Sequence, residues 1–355
     1  MAAAAVTLLA ACEKDNDATQ EANAGRNVNG SGKQVVKMTK IYYAEEYQNY
    51  SLQSTSGSAD RTEISWSGDN LSHFVKFRFK NGTEVQSGEG SIVYVYNGGV
   101  LTEMISNADG EQPHAYLTYT NGLLTEIYTT YDDGYDVGWK KNTISYTDGK
   151  VHEITELTSE GKNRSYVLTW NGDNVVRKER YSNGTLLETS DYTYDNKNNP
   201  KKIDLAVALV MMENLVSSLS ANNVILESEY TTSRSYSYSY SYTYDGDYPV
   251  KCVERENNTG STYDQYIYTT YYEYADGTGR GQVPPIYSIN VQSNLEDWYG
   301  CGNGEYAAGS TAVIYVAPSW YGYEFRQWSD GNTDNPRSIT VNANATYTAI
   351  FGNSN

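Results

Sequence analysis

The chain has 355 residues and a formal net charge of −18, because 44 acidic side chains outnumber 26 basic ones. This charge argues against nucleic-acid binding and against direct docking on anionic lipid, since both need a basic patch. Tyrosine is unusually frequent, with 36 residues against 5 phenylalanines, and it suits half-buried strands. The composition therefore predicts an all-β chain of one to three domains, with no nucleic acid as a partner.

The N-terminus, MAAAAVTLLAACEKDND, places Cys12 after a mostly apolar run. A helix of ten residues is about 15 Å long, half of the apolar core of a membrane, so this run does not span one. Its last four residues, LAAC, resemble the lipobox of bacterial lipoproteins, which implies a signal peptide at residues 1–12 and lipidation of Cys12. A signal peptide also needs Lys or Arg before the apolar run, and we expect these upstream of Met1. The alternative is a buried core segment.

Residues 13–34 are polar and rich in Asn, Gly, Ala and Ser, which predicts a flexible tether. The acidic EKDND directly after Cys12 resembles the export signal that sends lipoproteins of Bacteroidetes to the outer face of the outer membrane. The resemblance implies an outer-membrane lipoprotein exposed on the cell surface, with the membrane as a partner through the lipid on Cys12. The alternative is a solvated charge cluster without meaning.

Seven similar blocks follow, each with an aromatic residue, a turn of Asn, Asp and Gly, and a second run of strand-forming residues. The blocks start at Trp66, Tyr96, Tyr119, Tyr146, Trp170, Tyr194 and Tyr244. Asn-Gly and Asp-Gly pairs favour tight hairpins, because both residues tolerate positive φ. The fifth and eighth positions after the aromatic are mostly apolar, as in Leu101 and Met104, and predict the core. Cys252 occupies an eighth position, which predicts a buried free thiol, although it could pair with Cys301.

This unit resembles the YD-repeat hairpins of bacterial shell-forming proteins. It resembles still more closely the tyrosine-rich repeat domains of uncharacterised Bacteroidetes surface lipoproteins, including the element YDNKNNP that starts at Tyr194. The resemblance implies that residues 35–283 form a long antiparallel β-meander of repeated hairpins. It supplies no catalytic residues.

Between the last two blocks, apolar residues recur at steps of three and four, which predicts one inserted amphipathic helix at about residues 203–221 that covers a face of the sheet. The next segment alternates tyrosine with Ser or Thr, so a strand would project five rings to one side. These rings belong to Tyr236, Tyr238, Tyr240, Tyr242 and Tyr244. Two interpretations are open: a platform for sugar rings or peptide, or a surface that packs under the helix.

Pro284-Pro285 predicts a domain boundary. Residues 284–355 then resemble the divergent internalin-type B-repeat, through matches that include Tyr306 and Trp328. The resemblance implies a small β-grasp-like domain that serves as a stalk, spacer or adhesion unit. Trp298 and Trp320 are further candidates for ligand binding. The series Asp330, Asn332 and Asp334 has the spacing of a calcium loop but lacks its glycine and its last ligand, which favours a turn.

The three histidines, in three different blocks, have no catalytic or zinc spacing, and no phosphate-binding loop is present. The sequence thus predicts no enzyme, no catalytic residue, no cofactor and no metal. A spatial pair of carboxylates leaves a glycan-processing enzyme as a minor alternative. The function predicted is a lipid-anchored cell-surface protein that binds a glycan or protein. Its main alternative is a structural spacer without a ligand.

Substitution of Cys12→Ser in the protein expressed with its complete signal peptide is expected to release it from membranes, because the acyl chains on Cys12 are the predicted anchor. Fractionation and labelling with a radioactive fatty acid measure this. A variant that stays membrane-bound without acyl label would contradict the lipoprotein prediction.

Overall fold

The computed structural model describes residues 38–49, 54–67, 70–86, 92–106, 114–132, 137–201, 205, 209, 215–257, 265–296, 298 and 300–354. The predicted signal peptide, Cys12 and the tether at residues 13–34 lie outside these residues.

Strands dominate the described residues, which confirms the all-β prediction. The strands of the repeat region are β1 (Met38–Asn49), β2 (Ser54–Ser67), β3 (Asn70–Lys80), β4 (Thr83–Gln86), β5 (Ile92–Asn97), β6 (Val100–Ser106), β7 (His114–Thr120), β8 (Leu123–Asp132), β9 (Val137–Thr147), β10 (Lys150–Thr158), β11 (Asn163–Asn171), β12 (Asn174–Ser182), β13 (Thr185–Asn198), β14 (Asn222–Thr231), β15 (Ser235–Asp245), β16 (Tyr248–Glu256) and β17 (Gln265–Tyr274). The strands of the C-terminal region are β18 (Ile286–Ser293), β19 (Gly300–Cys301), β20 (Gly304–Ala307), β21 (Thr311–Val316), β22 (Ser319–Trp320), β23 (Tyr323–Trp328), β24 (Arg337–Thr340) and β25 (Ala345–Asn353).

The meander of hairpins returns on itself. Consecutive strands pair antiparallel from β1 to β4 and again from β5 to β17, and β3 contacts β5. The last strand, β17, pairs with the first along their length, from Met38 opposite Tyr274 to Gln48 opposite Gln265. The sheet is therefore closed, with one face turned inward and the other turned outward.

The hairpin turns have the backbone that their sequences predict. The φ angles are 50° and 77° at Asn121 and Gly122, and 52° and 75° at Asp148 and Gly149. Two successive residues with positive φ form the tight turn whose twist matches the flanking strands. The hairpin prediction is confirmed in these units.

A β-bulge explains the spacing of the apolar residues. It lies six residues after the aromatic in the units that start at Trp66, Tyr96, Tyr119, Tyr146, Trp170 and Tyr244. Positions five and eight are three residues apart, so a regular strand would point them to opposite faces. The extra residue of the bulge brings both to the inward face, as with Val151 and Ile154, which are buried in the same core.

The aromatic residues of three consecutive units also link neighbouring units. The Tyr146 hydroxyl donates to the Leu124 carbonyl at 2.8 Å, and Trp170 Nε1 donates to the Val151 carbonyl at 2.7 Å. The Tyr194 hydroxyl donates in the same way to the carbonyl of Val175. Each acceptor is the fifth position of the preceding unit. The apolar ring thus packs against the core while its polar tip satisfies a backbone carbonyl.

The inserted helix closes the apolar part of this core. Leu205, Leu209 and residues 215–219 are helical, which agrees with the prediction of one inserted helix, and the helix ends at Leu219 rather than at residue 221. We call these helical residues α1. Leu209 and Val216 are buried against inward-facing strand residues. Asn199 Nδ2 donates to the Ser220 carbonyl at 2.9 Å, which satisfies a backbone group at the end of the helix.

The C-terminal strands have a core of their own. Strand β18 pairs antiparallel with β20 and parallel with β25. Trp328 is fully buried, its Nε1 donates to the Asp334 carbonyl at 2.8 Å, and its ring meets Phe325 at 5.3 Å between centroids. Pro284 and Pro285 lie directly before β18.

The C-terminal strands contact the outward face of β2. Gly57 pairs with Gly304 so closely that a Cβ on Gly304 would lie 2.3 Å from the Gly57 nitrogen. The Thr55 hydroxyl lies 3.2 Å from the Tyr306 hydroxyl. The Glu305 carboxylate accepts hydrogen bonds from the Asn81 nitrogen, at 2.7 Å, and from the nitrogen of the next residue. Two glycines and a carboxylate thus let the two regions meet without a gap.

Trp328→Ala is expected to lower the free energy of unfolding by about 3–5 kcal/mol, because it removes the largest ring of the C-terminal core. The matched control is Tyr321→Ala, since Tyr321 is 86% exposed and its loss is expected to cost within about 0.5 kcal/mol. Urea unfolding followed by near-UV circular dichroism measures both. Equal stabilities would show that Trp328 does not support this core.

Candidate functional site

The inward face of the closed sheet is apolar near the tight hairpin turns and charged towards the other end of the strands. The charged and amide residues belong to the inward face because they alternate with core residues along each strand. They are Glu45, Asp60, Lys140, Asn142, Glu156, Arg164, Lys178, Arg180, Glu188, Glu227, Glu229 and Glu254.

On strands β9 to β13, pairs of cations share single carboxylates. Glu188 accepts hydrogen bonds from Arg180 at 2.7 and 2.9 Å and lies 3.4 Å from Lys178 Nζ. Burial alone would raise the pKa of Glu188, but the hydrogen bonds from Arg180 and the charge of Lys178 outweigh it and lower the pKa. Glu156 lies 3.4 Å from Arg164 and 4.0 Å from Lys140. This wall therefore carries more positive than negative charge.

The strands that follow carry carboxylates and tyrosines instead. Burial raises the pKa of Glu229 and Glu254, because water no longer stabilises their charge. Glu227 accepts hydrogen bonds from the hydroxyls of Tyr192, at 3.0 Å, and Tyr240, at 3.3 Å. The inward face is thus cationic on one side and anionic on the other.

A cavity of about 150 Å³ lies between α1 and the inward faces of β9 to β14. Its polar lining is formed by Asn142, Tyr166, Lys178, Tyr192, Ser217 and Glu227. Its apolar lining is formed by Ile154, Leu209, Leu215 and Val216. A concave surface that combines apolar side chains with converging polar groups is typical of small-molecule sites.

Asn142 is the most informative residue of this lining. It stands on β9 opposite Ile127 on one side and Glu156 on the other, and it is only 1% exposed. Its Nδ2 has no hydrogen-bond partner among the described residues. A buried polar group without a partner costs about 1–3 kcal/mol, so a molecule with an acceptor atom would be stabilised there.

The tyrosine stripe does not form an open platform. Its five residues, from Tyr236 to Tyr244, are half-buried, and Tyr240 and Tyr242 pack against the core. The Tyr242 hydroxyl donates to the Val224 carbonyl at 3.0 Å, and the Tyr244 hydroxyl donates to Asp195. Arg234 donates to the Tyr236 hydroxyl at 3.3 Å, and burial raises the pKa of Tyr238. Through Tyr240 and Glu227, the stripe borders the cavity.

The two tryptophan candidates lie elsewhere. Trp298 and Trp320 are half-buried and pack against the C-terminal core, so the structure does not bring them together with the stripe. Trp320 meets the ring of Tyr321 edge-on at 5.2 Å, and its Nε1 is buried without a partner among the described residues.

The sequence also singled out two cysteines and a series of residues with the spacing of a calcium loop. Cys252 is a buried free thiol, as predicted, and burial raises its pKa to about 11, while Cys301 is half-buried and forms no disulfide with Cys252. Arg337 donates to both oxygens of Asp330, at 2.8 and 2.6 Å, and lowers the pKa of that carboxyl.

Within the described ranges, no three His, Cys, Asp or Glu side chains lie close enough to hold a metal ion. No helix among these residues is long and apolar enough to cross a membrane.

Sequence reasoning missed the cavity residues Asn142, Lys178 and Glu227, which come from distant units. One signal was visible: Lys178 occupies an eighth position, where other units place apolar residues such as Ile154. A charged side chain in a slot that faces the core indicates a polar interior. Asn142 and Glu227 carry no comparable signal, because their neighbours across the cavity depend on how the sheet closes.

Comparisons with known proteins give distant structural similarities. No family model and no curated protein match the sequence. A porin-like protein from Bacteroides uniformis is 14% identical with a TM-score of 0.48, and the match covers 67% of this chain and 96% of that chain. A porin-like protein from Bacteroides vulgatus is 10% identical with a TM-score of 0.33, covering 67% of this chain and 98% of that chain.

Tyr240→Ala is expected to lower the free energy of unfolding by about 3 kcal/mol, because its ring packs against the core and its hydroxyl binds Glu227. Tyr230→Ala on the neighbouring strand is the control, since Tyr230 is 51% exposed, and it should change stability by at most about 0.5 kcal/mol. Thermal unfolding of both variants measures the difference. A Tyr240→Ala variant as stable as the wild type would contradict the packing of this ring against the core and favour the interpretation of the stripe as an open platform.

Proposed function

We propose that this protein is a lipid-anchored cell-surface binding protein that holds a small ligand in the cavity beneath α1. The observation that carries the proposal is the buried Asn142 amide, which has no partner among the described residues and lines a space large enough for a ligand. From the sequence we expected a glycan or protein to bind to exposed aromatic rings. We now place the ligand in the interior. The reason is that the five rings of the stripe are half-buried and turned inward.

The polar outward face supports anchoring through Cys12 rather than through the sheet. Arg177 forms two hydrogen bonds with Asp191 there, at 2.7 and 2.9 Å, and Lys141 lies 3.5 Å from Glu126. Charged pairs of this kind suit contact with water. A lipid on Cys12 would hold such a body at the outer membrane without inserting it.

The carboxylates that line or flank the cavity, Glu156, Glu188 and Glu227, support binding rather than catalysis. Glu188 and Glu156 are engaged by cations, and Glu227 is held by two tyrosine hydroxyls. A glycan-processing enzyme would need two carboxylates free to approach one bond of the substrate. The engaged carboxylates instead form fixed walls around the cavity.

A structural spacer is the second candidate function. The close contact between Gly57 and Gly304, together with the Glu305 hydrogen bonds, supports it because these contacts hold the C-terminal strands against the sheet. A spacer of this kind needs no ligand, so a cavity that binds nothing would favour it over the binding protein.

Ligand-observed NMR with a library of ring-sized fragments tests the proposed function. Val216→Phe should abolish binding because Val216 lines the cavity and the larger ring fills it. Val137→Phe adds the same ring at a position that is 76% exposed and should leave binding unchanged. If Val216→Phe does not fold, Leu215→Phe, which fills the half-buried edge of the lining, replaces it. Fragments that bind equally to wild type and filled variant, or no binding at all, would contradict the proposal.

A further inference from the structure

The cavity has a polar wall and an apolar wall, and together they define a chemical class of ligand. We infer that the ligand is a small carboxylic acid with an apolar body about the size of one ring. Its carboxylate would lie against Asn142 and Lys178, and its apolar body against α1. This inference rests on the proposed binding function.

The polar wall offers donors and an excess of positive charge. Asn142 Nδ2 has no hydrogen-bond partner among the described residues, and Lys178 shares the carboxylate of Glu188 with Arg180. The Lys178 side chain is 20% exposed, so little water stabilises its charge. A second set repeats this arrangement beside Asn142, where Glu156 serves two cations. Because a buried charge that lacks a full partner is costly, an anionic ligand would stabilise this wall.

The position of Glu227 on β14, two strands from Lys178 on β12, sets the direction of the ligand. Glu227 lines the same cavity, and its two tyrosine partners, Tyr192 and Tyr240, are neutral. Its negative charge therefore repels a ligand carboxylate. The carboxylate would be turned towards Asn142 and Lys178 for this reason.

The apolar wall sets the size of the body. Leu209, Leu215 and Val216 of α1 line the cavity together with Ile154, and none of these side chains offers a hydrogen bond. An apolar cavity of about 150 Å³ accommodates benzene, so this space of the same size admits one ring. Removal of that ring from water drives its binding.

Isothermal titration calorimetry of the full-length protein with benzoate, benzyl alcohol and benzylamine tests whether the ligand is a carboxylic acid. Benzoate is expected to bind about tenfold more tightly than benzyl alcohol, because a hydrogen bond to a charged group is worth more than one to a neutral group. Benzylamine should bind at least about tenfold more weakly than benzoate, because Lys178 repels its ammonium and Glu227 already accepts hydrogen bonds from two tyrosine hydroxyls. Equal binding of benzoate and benzyl alcohol would overturn the acid class while leaving the cavity a ligand site. If none of the three probes binds, and no other fragment binds either, the proposed function is overturned as well.

Two variants locate the carboxylate. Lys178→Met should weaken benzoate binding about tenfold and leave benzyl alcohol within about twofold, because it removes the charge and keeps the length of the side chain. Asn142→Leu should weaken both probes, because both present an acceptor oxygen to Nδ2. The control is Lys141→Met on the outward face, which should change neither affinity. Unchanged benzoate binding in Lys178→Met would place the carboxylate elsewhere and contradict the inference.

Discussion

The pairing of β17 with β1 is the constraint on which the rest of this structure depends. Without it, the meander would end in two open edges, and its inward face would be a surface. With it, that face becomes an interior. Side chains there are shielded from water, so apolar ones form a core and charged ones must find partners. The ion pairs of Glu156 and Glu188, and the tyrosines around Glu227, follow from this enclosure.

The repeating unit is built to make such a sheet from short hairpins. A bulge brings two apolar positions that are three residues apart to the same face, and it recurs in successive units. In three consecutive units the aromatic residue then donates to a carbonyl of the unit before it, as Trp170 does to Val151. Each of these hairpins is thus tied to its neighbour by side chains as well as by the strand ladder. This also explains why the unit uses Tyr and Trp rather than Phe, which has no polar tip.

The interior combines an apolar core with the cavity that adjoins α1. Near the tight turns, apolar residues and α1 form a closed core. Farther along the same strands, Asn142, Lys178 and Glu227 replace apolar residues around a cavity. A buried amide without a partner lowers stability, and its position beside the cavity is the reason we propose that a ligand supplies the missing contact.

The sequence by itself determined the strands, the tight turns, the inserted helix and the apolar slots, including that of Cys252, because local spacing and turn chemistry control these features. It also determined that the five tyrosines from Tyr236 to Tyr244 share one side. Only the tertiary structure decided what that side faces, since closure depends on residues such as Thr39 and Glu273, which are 234 positions apart. The cavity has the same origin: Asn142 and Glu227 lie on strands whose arrangement around it depends on pairing across the whole sheet. Pairing at such distances leaves no periodic trace in the sequence, because each strand is compatible with many neighbours.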